Sequence, residues 1–205
     1  MHEARIHAHI CGDGHIYTEE GQRGTRYVIE YTNSCKELIE EYINDVKKEY
    51  GAAVEVLRHK NTYIARFRSK TAYLRLKALG AGRSREWRAP ITIFLYKDQN
   101  KTIDLICAWI RAYIDDEGHI DLKTRRITIT SVNENGLKDI RSLLEVLGVP
   151  CKMYKIMRGY AYRLAISGDN LVRLAQYMRP LHPEKHRRLQ KLLSIYEPKS
   201  LKAEL

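Results

Sequence analysis

The feature that most constrains this chain is a short pattern that occurs twice, about one hundred residues apart. Residues 6–14 (IHAHICGDG) and residues 110–118 (IRAYIDDEG) each combine a mostly apolar run with an acid that is followed at once by glycine. The pattern predicts two helices that end near Asp13 and Glu117. The C-terminal end of a helix carries partial negative charge, so two such ends with their acids repel each other unless cations lie between them. The pair therefore indicates a divalent metal site built from a repeat.

The repeat can be followed through the rest of the 205 residues. The two acids are 104 residues apart, whereas Ser69-Lys70 and Ser167-Gly168 match at an offset of 98. The first half carries a turn-rich insert at residues 19–25 where the second half has only Lys123-Thr124. A hairpin loop is a cheap place for such a change of length. We therefore expect two repeats, residues 1–98 and residues 99–205.

Hydrophobic periodicity predicts a similar order of elements in both halves. In the first half we expect a helix up to Cys11, strands near 15–19 and 26–32, a helix at 35–50, strands at 53–58 and 62–68, a helix at 70–79 and a helical segment at 84–96. In the second half the order is helix, two strands, helix, two strands and two helices, at 102–115, 119–123, 125–131, 135–147, 151–157, 160–166, 169–179 and 183–196.

Residues alternate between two faces in the predicted strands. One face of the strand at 26–32 consists of Tyr27, Ile29 and Tyr31, and in the strand at 125–131 Ile127 and Ile129 point inward. Each half is thus expected to form a four-stranded, mostly antiparallel sheet with one buried face and one polar, basic face. The predicted fold class is α+β.

Charge and composition bear on the partner. The net charge is +11, of which residues 1–102 carry +5 and residues 103–205 carry +6. This even division favours a basic surface that runs across both halves, as a long polyanion requires. The sequence contains neither an 18-residue apolar run nor a signal-peptide pattern, so we expect an intracellular, cytoplasmic protein without membrane contact. Its four cysteines form no CxxC pair, which favours buried thiols in a reducing compartment over a zinc site.

With these residues in place, the chain resembles the LAGLIDADG homing endonucleases. Residues 6–14 and 110–118 match the nine-residue motif position by position, with the final acid-glycine intact in both copies, and the element order resembles the αββαββα repeat of that family. The resemblance is to the monomeric, two-motif form that archaeal, intron-encoded members take. Small residues, Ala8 and Ala112, stand where the two motif helices cross closely. Gly12 also fits the seventh motif position, whereas Asp116 departs from it.

The resemblance implies a fold and a metal site. Two pseudo-symmetric repeats would form a DNA-binding saddle of antiparallel sheets, and the last acid of each motif would hold Mg²⁺, for which Mn²⁺ is expected to substitute. Carried over by motif position, the metal ligands are the carboxylates of Asp13 and Glu117 and the peptide carbonyls of Gly12 and Asp116. Asp115 lies one helical residue off the site face, so we do not expect it to bind metal. His7 and His9 are two residues apart in a helix, which favours packing or DNA-facing roles over a metal cluster.

Other catalytic residues are matched through the same resemblance. Asn33, before the second predicted helix, aligns where an amide often orients the nucleophilic water. Lys70 occupies the region of the central catalytic lysine of the family. Its predicted counterpart in the second half is Gly168, so the site is expected to be asymmetric, with Lys123 or Arg126 supplying the missing charge.

DNA would be contacted by the outward face of the sheets, in the major groove of a duplex. The two halves differ at nearly all of these positions, which predicts a non-palindromic target. The basic tail from Arg179 to Lys191 is expected to contact phosphates or solvent. The candidate DNA-binding residues are Arg26, Glu30, Thr32, Arg66, Arg68, His119, Lys123, Arg126, Thr128, Thr130 and Arg163.

The sequence therefore predicts a site-specific homing endonuclease, a monomer with internal pseudo-twofold symmetry that makes a metal-dependent double-strand break in a long, asymmetric DNA site. The alternative from another functional class is a non-cleaving binder on the same scaffold, either an RNA maturase or a DNA-binding regulator. Retention of both acids favours cleavage, because folding does not require them.

Overall fold

The structure, a computed structural model, describes residues 1–22, 24–90 and 98–196. In the first lobe the elements are α1 (His2–Cys11), β1 (Gly14–Gly21), β2 (Gly24–Asn33), α2 (Lys36–Tyr50), β3 (Glu55–His59), β4 (Thr62–Arg68) and α3 (Lys70–Ala78). In the second they are α4 (Gln99–Glu117), β5 (Gly118–Asp121), β6 (Arg126–Ser131), α5 (Glu134–Val146), β7 (Lys152–Ile156), β8 (Ala161–Ser167), α6 (Asp169–Tyr177) and α7 (Pro183–Tyr196).

Side-chain caps explain where several of these helices begin. The Ser69 hydroxyl accepts a hydrogen bond from a backbone N–H in the first turn of α3, and Asn133 does the same for α5. The Asp98 carboxylate accepts from two backbone N–H groups of α4, so this helix starts at Gln99, three residues before the predicted start. At the other end of α2, Gly51 adopts the left-handed conformation that ends a helix (φ 61°).

Each lobe contains one four-stranded antiparallel sheet, with strand orders β1-β2-β4-β3 and β5-β6-β8-β7. The predicted α+β class is therefore confirmed. The predicted alternation holds in β6, where Ile127 and Ile129 are buried in the core. In β2 it holds in part: Ile29 and Tyr31 are buried in the core, but Tyr27 is half-buried, and Val28 and Glu30 on the opposite face are buried as well.

The strand register corrects one equivalence between the halves. Gly14 lies opposite Tyr31 and Gly118 opposite Ile129, so the two sheets superimpose residue by residue near the motif helices. In the fourth strands the offset is 99, since β4 begins at Thr62 and β8 at Ala161. Helix α3 starts at Lys70 and α6 starts at Asp169, so the counterpart of Lys70 is Asp169, and Gly168 matches the capping Ser69 instead.

The motif helices α1 and α4 pack against each other and join the lobes. Ala8 and Ala112 are fully buried, as the close crossing requires. Asp116 is accommodated because it faces Gly12: a Cβ on that glycine would lie 2.9 Å from both Cβ and Oδ2 of Asp116. One core lies beneath the first sheet and a second beneath the second sheet, and the second core also takes in Ala4, Ala8 and Cys11 of α1.

The link after α3 differs from its prediction. Residues 84–90 form a turn and an extended stretch, so the helical segment predicted at 84–96 is wrong over this part; residues 91–96 lie outside the described residues. The stretch is extended because Trp87 inserts into the second-lobe core against Trp109 and Tyr113. The glycine at position 136 makes room for the Trp87 ring, which lies 2.4 Å from where a Cβ would be.

The described ranges contain no helix that is long and apolar enough to cross a membrane. Cys11, Cys35, Cys107 and Cys151 are free thiols.

Candidate metal and nucleic-acid site

The ends of the two motif helices bring one acid from each lobe to the lobe junction. Helix α4 continues through Glu117, whereas α1 ends at Cys11 and places Asp13 two residues beyond its last turn. The first acid is therefore held by the start of β1 and by Asn33 of β2, whose amide donates a 2.9 Å hydrogen bond to Asp13 Oδ2. The structure thus brings Asp13, Asn33 and Glu117 into one region of the molecule.

Burial and like charges raise the pKa of both acids. The pKa of Glu117 is raised to about 7, by burial first and then by the negative charges of Asp13 and Asp116, against the opposing effect of Lys185. The pKa of Asp13 is raised to about 6, again by burial first and then by Asp116, against the opposing effects of Lys185, His9 and Asn33. A site that disfavours its own ionised carboxylates in this way is stabilised by an added cation.

Asp116 is the centre of a buried polar cluster, although it stands at a motif position where a small residue was expected. Its carboxylate accepts hydrogen bonds from Tyr31 Oη (2.6 Å) and Asn33 Nδ2 (3.3 Å), and pairs with His9 Nδ1 (2.8 Å). These three partners come from the first lobe. The Asp116 side chain is thus engaged in joining the lobes.

His9 is buried and sits between two carboxylates. Burial alone would lower its pKa, but the charge and hydrogen bond of Asp116, together with Glu41 at 3.7 Å, raise it to about 9. Glu41 is held ionised in turn: burial raises its pKa, but His9 and Arg111 outweigh that effect and lower the pKa to about 2. Arg111 Nη2 donates to Glu41 at 2.6 Å. His9 therefore packs and pairs inside the protein, as does His7, which is also buried.

Asp115 binds the start of α7. Its two carboxylate oxygens accept 3.0 Å hydrogen bonds from the backbone N–H groups of Leu181 and His182, and Oδ2 also accepts from Arg111 at 2.9 Å. A carboxylate at a helix N-terminus complements the helix dipole. These contacts occupy both carboxylate oxygens of Asp115.

Lys185 is the basic residue that the structure brings to the acids. Its ammonium group donates to the carbonyls of Ile114 (3.0 Å), Asp115 (2.6 Å) and Asp116 (2.9 Å) at the end of α4. Burial lowers the pKa of Lys185, and the surrounding acids oppose this effect. The sequence reading assigned Lys185 only to a basic tail on phosphates or solvent. Nothing local in the sequence links α7 to the end of α4, so only the tertiary structure reveals this contact.

Some of the oxygen ligands that a hard divalent cation needs are available at the two acids. Carboxylate oxygens of Asp13 and Glu117 and the Gly12 carbonyl are the oxygen ligands that Mg²⁺ prefers. The Asp116 carbonyl, the fourth ligand implied by the resemblance, already accepts a hydrogen bond from Lys185. No group of three or more His, Cys, Asp or Glu side chains forms a metal site within the described ranges. The two acids would therefore need oxygen ligands from a substrate or from water.

The other predicted basic residues lie away from the acids. Lys70 is exposed and its ammonium lies over the ring of Tyr27 (5.6 Å), six residues along β2 from Asn33, or about 20 Å at the rise of a strand. Arg126 is three residues along β6 from the residue opposite Gly118, or about 10 Å. Lys123 lies in the turn between β5 and β6, where its backbone N–H donates to Asp121.

The outward face of the first sheet carries a paired cluster of predicted DNA-binding residues. Arg66 donates to Glu30 through Nε (2.7 Å) and contacts the same oxygen through Nη2 (2.6 Å), and the Tyr17 hydroxyl donates to it at 3.4 Å. His15 stacks on Tyr17. Glu30 is 7% exposed, so this pair is a fixed feature of the sheet surface.

The remaining candidates of the two sheets are more open. Arg26 and Arg68 are exposed, and Arg68 pairs weakly with Glu55 at 3.4 Å. Thr32 is half-buried beside the start of β1, where its backbone N–H donates to Asp13 O. In the second sheet Arg163 Nε donates to Thr130 Oγ1 at 3.2 Å, and exposed His119 lies opposite Thr128. At the position of the buried acid Glu30, the second sheet has Thr128.

Comparison with known sequences finds a family profile and a curated relative that match this chain. Residues 104–179 match the sequence profile of the family described as LAGLIDADG-like domain. A component of the A-type ATP synthase of Methanopyrus kandleri is 26% identical over 176 residues, which are 86% of this chain and 16% of that protein. The chain thus spans about a sixth of the length of this curated relative.

Solved structures share the fold over nearly the whole chain. The homing endonuclease I-DmoI in complex with DNA and Ca superimposes with a TM-score of 0.68 at 21% identity, covering 91% of this chain and 95% of that one. The homing endonuclease I-WcaI bound to its DNA recognition sequence superimposes with a TM-score of 0.63 at 13% identity, covering 92% of this chain and 85% of that one. Full-length DUF199/WhiA from Thermatoga maritima superimposes with a TM-score of 0.58 at 12% identity, covering 97% of this chain and 62% of that one.

Residues 104–179 thus match the LAGLIDADG-like domain family, and the chain has the two-motif LAGLIDADG fold seen in I-DmoI.

Proposed function

We propose that this protein is a homing endonuclease that makes a divalent-cation-dependent double-strand break in one long, asymmetric DNA site. The observation that carries the proposal is the meeting of Asp13 and Glu117, one from each lobe, where burial and the charge of Asp13 raise the pKa of Glu117. Like-charged side chains held together in this way destabilise the fold, which favours a functional reason for both. Endonuclease complexes of the same fold support the assignment.

The cation is proposed to be Mg²⁺, with Mn²⁺ as a substitute, held by Asp13, Glu117 and the Gly12 carbonyl. The I-DmoI complexes with DNA contain Ca, Mn or Mg, which is consistent with such a site. When bound, the cation would polarise the scissile phosphate and lower the pKa of the attacking water.

The chain's own residues hold this site in place. Asn33 fixes the Asp13 carboxylate through its amide and is the candidate for orienting water, because the same amide group reaches both Asp13 and Asp116. Protonated His9 balances the charge of Asp116 inside the lobe junction. No salt bridge is seen for Asp13 or Glu117 within the described ranges, so their carboxylates are the candidates for binding the cation.

The duplex is proposed to lie across the outward faces of both sheets, which would form the saddle, with strands in the major groove. The net charge of +11 supports a polyanionic partner, and the different side chains of the two sheets support a target without palindromic symmetry. A monomer with internal pseudo-twofold symmetry would then suffice to cut both strands. An archaeal, intron-encoded origin stays a prediction of the resemblance.

The test is a search for cut sites. The purified protein is incubated with Mg²⁺ and two substrates, a library of random duplexes and a duplex that joins the sequences flanking its own reading frame, and new ends are sequenced. We expect one asymmetric site with both strands cut, leaving 3′ overhangs as the family does. Binding of duplex DNA without new ends in any divalent cation would indicate the regulator, and preferential binding of structured RNA would indicate the maturase.

A further inference from the structure

The two motif helices end in different electrostatic surroundings. At the end of α4, one ammonium group donates to three successive backbone carbonyls, those of residues 114–116. This group, Lys185, comes from α7, which follows α6 in the second lobe. The described part of the link after α3, residues 79–90, contains no helix equivalent to α7. Within the described ranges, an ammonium at the end of a motif helix is therefore seen in the second lobe.

Lys185 is held rigidly at this place. Helix α7 begins against the Asp115 carboxylate, which accepts the backbone N–H groups of Leu181 and His182. One turn further, Lys185 reaches back to the carbonyls at the end of the helix that carries Asp115. Each helix thus satisfies the open end of the other. The ammonium of half-buried Lys185 makes three hydrogen bonds, of 2.6 to 3.0 Å, which hold it beside the acids.

We propose that Lys185 is a resident cation of the site, which competes with divalent cations at the Glu117 side and limits how tightly they bind. The proposal rests on the two-acid cation site of the proposed function and concerns a residue outside both motifs. Lys185 is a positioning residue here, because it acts on the cation through the Asp116 carbonyl and through its charge.

Charge and ligand count support this inference. The Asp116 carbonyl is a candidate cation ligand that Lys185 already occupies, at 2.9 Å. The ammonium also interacts electrostatically with Asp13, Asp116 and Glu117, so it offsets part of the negative charge that would attract a second cation. At separations of a few ångströms in a partly buried site, one charge changes the affinity of a divalent ion by roughly tenfold or more.

A purely structural role for Lys185 makes a different prediction. If the ammonium only caps α4 and docks α7, its removal would lower thermal stability and leave the intrinsic affinity for cations unchanged or weaker. If it is a resident cation, its removal makes divalent cations bind more tightly. The two roles are separated by a measurement of cation affinity.

The experiment is a titration of the whole protein with Mn²⁺ at pH 8, read by electron paramagnetic resonance of the free ion. Lys185→Met removes charge and donor, and Lys185→Gln removes the charge but keeps an N–H donor for the carbonyls. Lys191→Gln is the matched control, an exposed lysine on the same helix. We expect roughly tenfold tighter Mn²⁺ binding in both Lys185 variants and no change in the control.

The outcomes separate this inference from the proposed function. Equal Mn²⁺ affinity in the wild-type protein and in folded Lys185→Gln would overturn the proposed competition between Lys185 and divalent cations. It would leave the proposed function untouched. If Lys185→Met does not fold, Lys185→Gln decides the question by itself. If neither the wild-type protein nor Lys185→Gln binds Mn²⁺, or if Asp13→Asn leaves the binding intact, the two-acid site and with it the proposed function are refuted.

Discussion

The two lobes place their acids in the same way but support them differently. In both, a glycine after the acid pairs with the neighbouring strand, Gly14 with Tyr31 and Gly118 with Ile129. The first lobe supplies a tyrosine and an asparagine from β2, which reach Asp116 across the junction. The second lobe has the core residue Ile129 at the position of Tyr31 and Ser131 at the position of Asn33. A lysine from α7 covers the end of its motif helix instead.

This difference shows what the repeat fixes and what it leaves free. The backbone register fixes where Asp13 and Glu117 meet. The side chains around them are not duplicated: Tyr31 and Asn33 of the first lobe donate hydrogen bonds to Asp13 and Asp116, and the ammonium comes from the second lobe. One centre with unequal halves therefore forms from two equal folds, and its two halves are expected to respond differently to substitution.

The largest expected effect comes from removing either acid. Asp13→Asn and Glu117→Gln should each reduce cleavage by at least about 10²–10³-fold, since each removes a ligand for the cation that stabilises charge in the transition state. Duplex binding should be largely retained, because neither acid is proposed to contact bases. Single-turnover cleavage with parallel binding titrations measures both quantities. If either variant cleaves at the wild-type rate, the acid that it lacks is not a ligand of the catalytic cation.

Removing the central carboxylate of the junction should cost stability. Asp116→Ala leaves buried His9 and the Tyr31 hydroxyl without their acceptor, which we expect to lower the free energy of unfolding by roughly 2–4 kcal/mol at pH 6. The pKa of His9 is raised to about 9 by its partners, so this contribution is present below about pH 6.5 and is lost as the pH rises through 9. Urea unfolding at pH 6 and pH 10 measures the loss. An equal cost at both values would show that the ion pair is not its origin.

The first sheet holds an arginine for DNA contact by a buried carboxylate, whereas Arg163 of the second sheet is held by the hydroxyl of Thr130. Arg66→Ala should weaken binding or relax preference for one base by roughly 1–3 kcal/mol, because Glu30 holds the guanidinium in one orientation. Arg68→Ala is the control for loss of an exposed charge in the same strand. Competition binding with single-base variants of the site distinguishes them. If both substitutions weaken all sequences equally, Arg66 contacts phosphate only.

A smaller effect is expected in how strongly a bound cation stabilises the protein at different pH values. The pKa values of Asp13 and Glu117 are raised to about 6 and about 7, so without a cation the ionisation of both acids lowers stability as the pH rises from about 4 through 7. Mn²⁺ should therefore raise Tm by several degrees more at pH 8 than at pH 5.5. Calorimetry of the protein without DNA measures the shift. The same shift in an Asp13→Asn, Glu117→Gln double variant would place the bound ion elsewhere.

The smallest effect is expected for the lysine that the family resemblance favours. Lys70→Met should leave the rates of cutting both strands unchanged, because Lys70 lies beside Tyr27 at the far end of β2 from Asn33. A plasmid time course that resolves nicked and linear products measures both rates. Accumulation of the nicked form would mean that Lys70 reaches the DNA-bound site despite its position in the free protein.

The sequence predicted the elements with strong local patterns. The alternation of Ile127 and Ile129 and the acid-glycine ends gave the sheets, the motif helices and the place of Asn33. It failed where a long-range contact decides local structure: Trp87 inserts into the second core, so the stretch from 84 to 90 is not helical. Lys185 was missed for the same reason. A lysine in the first turn of a helix appears as a surface residue unless the position of that helix is known.

The most direct test of the central claim is strand-resolved mapping of the ends that the wild-type protein produces on its target in Mg²⁺, in Mn²⁺ and in a chelator. If one acid from each lobe forms a single cation-dependent centre, both strands of one asymmetric site are cut in Mg²⁺ and in Mn²⁺, and neither strand is cut in the chelator. Cleavage that persists in the chelator, or specific duplex binding with no cut in either metal, would contradict the account.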